Sequence, residues 1–223
     1  GAGSGIGIGY MVDAGGEDNA DGYSNYIIGN VAYGNENRAL QCFSSTIGAV
    51  ITDGNGIIVD DNDSNGYRAR TLVADNVVYN NGGRGILVFQ SSRVDVVNNI
   101  SYHNAFTDNL MGRDGPHPEI AVARGEDVRI YNNIAVPRPG NQAFVDNRSG
   151  ADTRANLFAE PGPATDLFTD PGLGRSADFT IRPEAASRVT GGIPFLATVG
   201  PEGQPEVPTP ISLGTIYNAG LRP

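Results

Sequence analysis

The sequence predicts an all-β fold, a parallel β-solenoid built from coils of about 23 residues. The first observation is a near-repeat. Thr71–Asn81 reads TLVADNVVYNN and Val94–Asn104 reads VDVVNNISYHN. Aligned on the asparagine before the apolar pair, the offset is 99 − 76 = 23 residues. The second is alternation: within each line apolar and largely β-branched residues occupy every other position, which is strand periodicity. The third is recurrence. The same register returns at Asn30 (76 − 30 = 46, two periods upstream), at Asn133 (133 − 99 = 34, one period plus an insertion of 11) and at Asn156 (156 − 133 = 23). One coil cannot bury its inward side chains alone, but stacked coils bury them jointly. Stacking places Asn76 beside Asn99 in an internal amide ladder, and Tyr79 beside Tyr102 in a ring stack.

The elements follow in order. Ser4–Asp13 is a strand with Ile6 and Ile8 inward. Its Gly-x-Gly spacing is not a dinucleotide loop, because no helix follows. Ala14–Tyr23 is an acidic loop. Asn25–Asn35 is the first clear repeat unit, and Arg38–Ser45 is a short strand whose lone Cys42 reads as a small buried residue. In Thr52–Asn65, Ile57 and Val59 point inward and Ile58 and Asp60 outward, with Asp61 at the strand end. The next coil places Phe89 above Asp60 and Gln90 above Asp61. The coil after it turns Ile120 and Val122 inward and ends on Arg124. Asp61, Gln90 and Arg124 therefore form one vertical polar row. The inserted eleven residues lie between Tyr102 and Glu119, bracketed by both histidines, His103 and His117. Loops that interrupt a solenoid are where binding surfaces are built. Leu167–Gly172 and Asp178–Pro183 read as a final irregular coil. Residues 1–185 form the solenoid domain, which is expected to lack earlier N-terminal coils or a leader. Residues 186–223 form a Pro-rich cap or tail, with Thr198–Pro210 covering the last coil's edge.

Composition narrows function. The chain has 223 residues and a net charge of −10, which argues against nucleic acid and anionic membrane surfaces as partners. No apolar run is long enough to span a bilayer. A single cysteine excludes an internal disulfide, and all 15 basic residues are Arg. Asp53, Asp60, Asp61 and Asp63 cluster within eleven residues without the EF-hand glycine and distal Glu. Such a cluster at a strand end suits Ca²⁺ or a solvated turn. Two histidines without a Cys pair or an HExxH motif do not suit zinc.

The NNxxYxN units, the GIxV strands and the late DP…DF.I.P segment resemble bacterial right-handed parallel β-helix proteins of the pectate-lyase-like superfamily. Asn19-Ala20-Asp21-Gly22-Tyr23 is similar to a calcium-binding segment of family 9 pectate lyases. The resemblance implies a secreted or periplasmic monomer acting on acidic or neutral polysaccharide. Its leading activity is calcium-assisted β-elimination on a uronate polymer, with Asp21, Asp60, Asp61 and Asp63 as metal ligands. The family 9 base is Lys, which this chain lacks, so Arg84 or Arg124 is the candidate base and His103 an alternative with a better intrinsic pKa. Phe89, Gln90, Arg113 and His117 are the substrate-contact candidates. Asp60-Asp61 resembles the acidic pair of β-helix polygalacturonases, although their Gly-His-Gly and Arg-Ile-Lys motifs are absent. A hydrolase with Asp60 as one of two carboxylates is therefore an alternative. A carbohydrate-binding solenoid without chemistry is another.

Overall fold

Short runs of β-branched residues broken by left-handed bends carry the chain around three flat faces per turn. The computed structural model describes residues 3–12, 23–44, 48–108, 110–112 and 115–189. The first coil consists of β1 (Ile6–Gly9), β2 (Tyr23–Ile28) and β3 (Val31–Tyr33). It is followed by a hairpin of β4 (Gln41–Ser44) and β5 (Gly48–Val50). The second coil is β6 (Ile57–Asp60), β7 (Arg70–Ala74) and β8 (Val77–Tyr79), and the third is β9 (Ile86–Phe89), β10 (Val94–Val97) and β11 (Ile100–Tyr102). The fourth is β12 (Pro118–Ala123), β13 (Val128–Tyr131) and β14 (Ile134–Val136), and the fifth is β15 (Gln142–Asn147), β16 (Asp152–Arg154) and β17 (Leu157–Phe158). They assemble into three five-stranded parallel sheets: A (β1-β6-β9-β12-β15), B (β2-β7-β10-β13-β16) and C (β3-β8-β11-β14-β17). This is a right-handed parallel β-helix.

Strand register fixes the coil lengths. In sheet C, Val77 pairs with Ile100 (100 − 77 = 23), Ile100 with Ile134 (134 − 100 = 34) and Ile134 with Leu157 (157 − 134 = 23). Val31 pairs directly with Val77. The 46-residue interval is thus one long coil and not two periods. Its extra length leaves the solenoid between β3 and β6 as the antiparallel β4–β5 hairpin, so residues 41–44 belong to no stacked sheet. The side chain of Cys42 lies outside the described ones.

The core is the inward stack of Ile57, Ile86 and Ile120 on sheet A with Val73, Val96 and Ile130 on sheet B, all fully buried. The bend from sheet B to sheet C uses one left-handed residue, Asp75, Asn98 or Asn132 (φ 57°, 56°, 57°), and then a buried asparagine. That asparagine satisfies the main chain at the corner. Asn99 Oδ1 accepts from both the N–H and the Nδ2 of Asn76 (3.0 and 2.9 Å), and Asn133 Oδ1 does the same for Asn99 (3.0 and 3.0 Å). The expected ladder runs through Asn30, Asn76, Asn99, Asn133 and Asn156.

Tyr79 and Tyr102 are in register, but the parallel ring stack joins Tyr33 to Tyr79 (4.9 Å, 4°). Tyr102 lies instead on His103 (4.0 Å, 12°). Beyond β17 the chain does not form a sixth coil. β18 (Phe168–Asp170) and β19 (Asp178–Ile181) make an antiparallel hairpin, followed by the single turn α1 (Ala186–Val189). Phe168, Phe179 and Val189 pack on the outer face of sheet C against Tyr79, Ile100, Tyr102 and Val136. That face is apolar in every outward position, so it needs a cover, and the C-terminal segment supplies it. Thr198–Pro210, read as an edge cap, lies outside the described residues.

Candidate functional site

The expected polar row forms at the corner where sheet A ends. Asp60 pairs with Phe89 and Phe89 with Ala123, which aligns Asp61, Gln90 and Arg124. All three are left-handed (φ 51°, 44° and 62°), as are Tyr10 and Arg148, the residues that follow the last paired positions Gly9 and Asn147 in β1 and β15. A left-handed residue reverses the side-chain direction at the strand end, so the column points its side chains off the corner. Gln90 bridges its neighbours, donating Nε2 to Asp61 Oδ1 (3.3 Å) and accepting from Arg124 Nη1 on Oε1 (3.3 Å). The Arg124 guanidinium lies over the Phe89 ring at 5.7 Å. Tyr10, 65% exposed, and the exposed Arg148 extend the row at its two ends. Neither was singled out by the sequence reading, although their register with Asp61 and Arg124 is a countable signal.

Beside the row, Asp60 is half-buried. Burial, then the charges of Asp53 and Asp61, raise its pKa above the usual carboxylate value. Along the outer face of sheet A runs an apolar strip of Ile58, Leu87 and Ala121, with Phe89 packed against it.

The other carboxylates are spoken for by protein donors. Asp63 accepts from Ser92 N and Oγ (2.8 and 2.8 Å). Asp53 accepts from Thr52 Oγ1 (2.8 Å). Among the described residues no three His, Cys, Asp or Glu side chains come together to hold a metal ion. Asp21, the fourth of the expected calcium ligands, lies outside the described residues.

The three candidate bases are dispersed. Arg84 precedes β9, and its N–H donates to Asn55 Oδ1 (2.9 Å). It sits at the opposite end of that strand from Gln90. Strand rise of about 3.3 Å per residue separates their main chains by roughly 20 Å. His103 lies on the sheet C side of the solenoid. Its Nε2 donates to Gly162 O (2.6 Å), and burial lowers its pKa below the ordinary histidine value. His117 is buried at the entry to β12, with its N–H on Asn141 Oδ1 (3.0 Å). Arg113 lies outside the described residues.

Two polar centres escaped the sequence reading. On sheet B, the fully buried Asp95 accepts from Arg70 Nη1 (2.8 Å) and from the Tyr23 hydroxyl, with Arg129 at 3.6 Å. Burial nevertheless raises its pKa, outweighing those partners. The second is Glu119, also buried. It ends a second amide ladder, Asn35–Asn81–Asn104, by accepting from Asn104 N (2.8 Å), Asn104 Nδ2 (2.6 Å) and Ser101 Oγ (2.7 Å). Burial pushes the Glu119 carboxyl up to about 7.

Comparison with known proteins finds no matching family model, no matching curated protein and no matching solved structure.

Proposed function

We propose that the protein binds polysaccharide along the sheet A corner. The observation that carries this reading is the continuous row of Asp61, Gln90 and Arg124, joined side chain to side chain and flanked by Phe89 and Tyr10. Successive rungs repeat at the inter-strand spacing of about 4.8 Å, close to the length of one sugar unit. Each rung offers hydrogen-bond donors and acceptors, and the aromatic rings offer flat apolar faces for sugar C–H groups. The row is acidic toward Asp60 and Asp61 and cationic toward Arg124 and Arg148. A neutral polymer suits its whole length, and an acidic one suits the Arg end. A secreted or periplasmic location fits this reading.

Affinity electrophoresis through gels containing pectate, alginate, glycosaminoglycan or a neutral glucan tests this. Retardation in one polymer, lost in Phe89→Ala and in Arg124→Ala, supports the row. Unretarded migration in all of them removes it.

A catalytic reading is favoured by one observation, the weakened acidity of Asp60 beside Asp53 and Asp61. Of two carboxyls in a hydrolase pair, the one whose acidity is weakened is the one suited to general-acid work. The lyase alternative needs a base next to that carboxylate group. Arg124 is the candidate nearest to it in register, and its very high intrinsic pKa makes proton abstraction demanding. No step is assigned to a cation. Reducing-sugar release and ultraviolet absorbance of unsaturated product separate hydrolysis, elimination and binding alone.

A further inference from the structure

Strands β2 and β3 of the first coil carry four of the nine large apolar side chains that the described residues leave in solvent. Tyr26, Ile28, Val31 and Tyr33 are 46%, 43%, 43% and 38% exposed. Each is in register with a buried residue of the second coil: Tyr26 with Leu72, Ile28 with Ala74, Val31 with Val77 and Tyr33 with Tyr79. Those counterparts are 0–3% exposed. Leu72 and Ala74 face the same way as Tyr26 and Ile28, so facing outward is not what exposes that pair, whereas Val77 and Tyr79 also lie under the C-terminal segment. The second coil lies between two others, whereas β1, β2 and β3 each stand at the end of their sheet.

The amide ladders give this end a chemical polarity. Every inner rung accepts on Oδ1 from the coil before it. Asn76 takes the N–H and Nδ2 of Asn30 (2.9 and 3.0 Å), and Asn81 takes those of Asn35 (3.1 and 2.8 Å). Among the described residues, nothing donates to Oδ1 of Asn30 or Asn35. The first coil thus presents two amide acceptors, five positions apart in the chain (35 − 30 = 5), beside three strand edges that pair with no other described strand. The other end of the solenoid is different. Its strands expose one large apolar residue, Phe158, beside Asp146, Asn147 and Arg154, charged and polar groups of the kind that discourage strand addition.

We propose that the β1–β2–β3 end is a docking surface for one further parallel coil of polypeptide. That coil carries two asparagines five positions apart, whose N–H and amide NH₂ groups fill the acceptors of Asn30 and Asn35, and its strands cover Tyr26, Ile28, Val31 and Tyr33. A second copy of this chain fits poorly. Its first coil would set acceptors against acceptors. Its last coil offers one ladder amide, Asn156, and Pro161 stands where the second would be.

The register supplies the test. Gly5, Gly56 and Gly85 occupy one position in successive coils, since Ile6 pairs with Ile57 and Ile57 with Ile86. A copy of Gly56–Arg84 fused ahead of Gly5, in place of residues 1–4, adds one coil through the same junction that joins Arg84 to Gly85. The expected result is a single unfolding transition at higher temperature, with amide exchange across Tyr23–Tyr33 slowed about tenfold or more. A control fusion whose added copies of Asn76 and Asn81 are both alanine should lose most of that protection. Unchanged exchange in the first fusion, or equal protection from both, overturns the proposal. Sedimentation of the unmodified protein is the independent check. It should remain a monomer, and end-to-end association abolished by Ile28→Asp would make a second copy the occupant instead.

Discussion

Glu119 stands directly above Gly85 in the stack. Ile120 pairs with Ile86, so the residues before them share a position. A Cβ on Gly85 would lie 1.9 Å from Ser101 Oγ and 2.7 Å from Asn104 Nδ2, because the ladder amide of its own coil fills that space. In the fourth coil the ladder position falls on Arg138, which brings no amide. The slot is open there, and the Glu119 side chain enters it as the last acceptor of the row.

This geometry sets a pH dependence. The Glu119 carboxyl is raised from 4.5 to about 7 by burial, against the pull of its donors and of Arg138. A carboxyl with a raised folded-state pKa contributes stability that is full below pH 4.5 and is lost as pH rises through about 7. Asp75, pushed up to about 6 by burial, acts in the same sense. The Glu119 contribution is roughly 3 kcal/mol across the window. Urea unfolding at pH 5 and pH 8.5 should therefore show lower stability at the higher pH. Glu119→Gln should flatten much of that difference, and an unchanged pH slope in this variant would reassign the effect.

Removing an inner rung should cost more than removing a terminal one. Asn99→Ala leaves the N–H and Nδ2 of Asn76 without their acceptor, both buried, and deletes the Nδ2 donor to Val73 O and Asn133 Oδ1. A loss of roughly 3–5 kcal/mol is expected from several unsatisfied buried groups. Asn30→Ala, at the part-buried end whose side chain only donates along the ladder, should lose about 1–2 kcal/mol. Chemical denaturation of the two variants side by side checks the ordering, and equal losses would mean the ladder is not the source.

Arg70 should matter more than its surface position on sheet B suggests. Its side chain is 8% exposed and holds the fully buried Asp95 while also meeting Asp127. Arg70→Ala strands a buried carboxylate, at a cost of roughly 3–5 kcal/mol. The double variant Arg70→Met with Asp95→Leu removes both charges and should recover most of it. Thermal unfolding of the single and double variants distinguishes a stranded charge from simple loss of packing.

At the corner row, Gln90→Ala should free Arg124 and Asp61 from their shared partner without harming the fold, because the substitution keeps the main-chain bonds and removes only side-chain bonds of 3.3 Å at a part-exposed site. Stability should change by no more than about 0.5 kcal/mol, while retardation in a polysaccharide gel weakens. Undiminished retardation would move the binding surface elsewhere.

Much of this was legible from the chain. The asparagine spacing of 99 − 76 = 23 is a true coil, and the register of Phe89 with Asp60 follows from counting strand alternation. The 46-residue interval was not legible, because periodicity alone does not distinguish two coils from one coil with a hairpin extruded. Glu119 was hidden for a different reason. It reaches the ladder from the glycine column, so the repeat shows it as a mismatch rather than a rung. The path of Phe168 and Phe179 across sheet C depends on tertiary cover for Tyr79 and Tyr102, which no local pattern states. The candidate bases were chosen by residue type, and type does not say that Arg84 and Arg124 belong to opposite strand ends.

The long turns after β3 and β11 meet each other through a parallel bridge between Ile51 and Leu110, with Met111 N on Ile51 O at 2.7 Å. They spring from the first and third coils and pass over the short turn of the second, whose Gly82 and Gly83 carbonyls accept from Thr107 and Ala105. A plain solenoid behaves like a coiled rope whose end loops peel away one after another. Here the two turns are lashed across an intervening loop. Pulling on the first coil must load the third, and these coils should let go together under force.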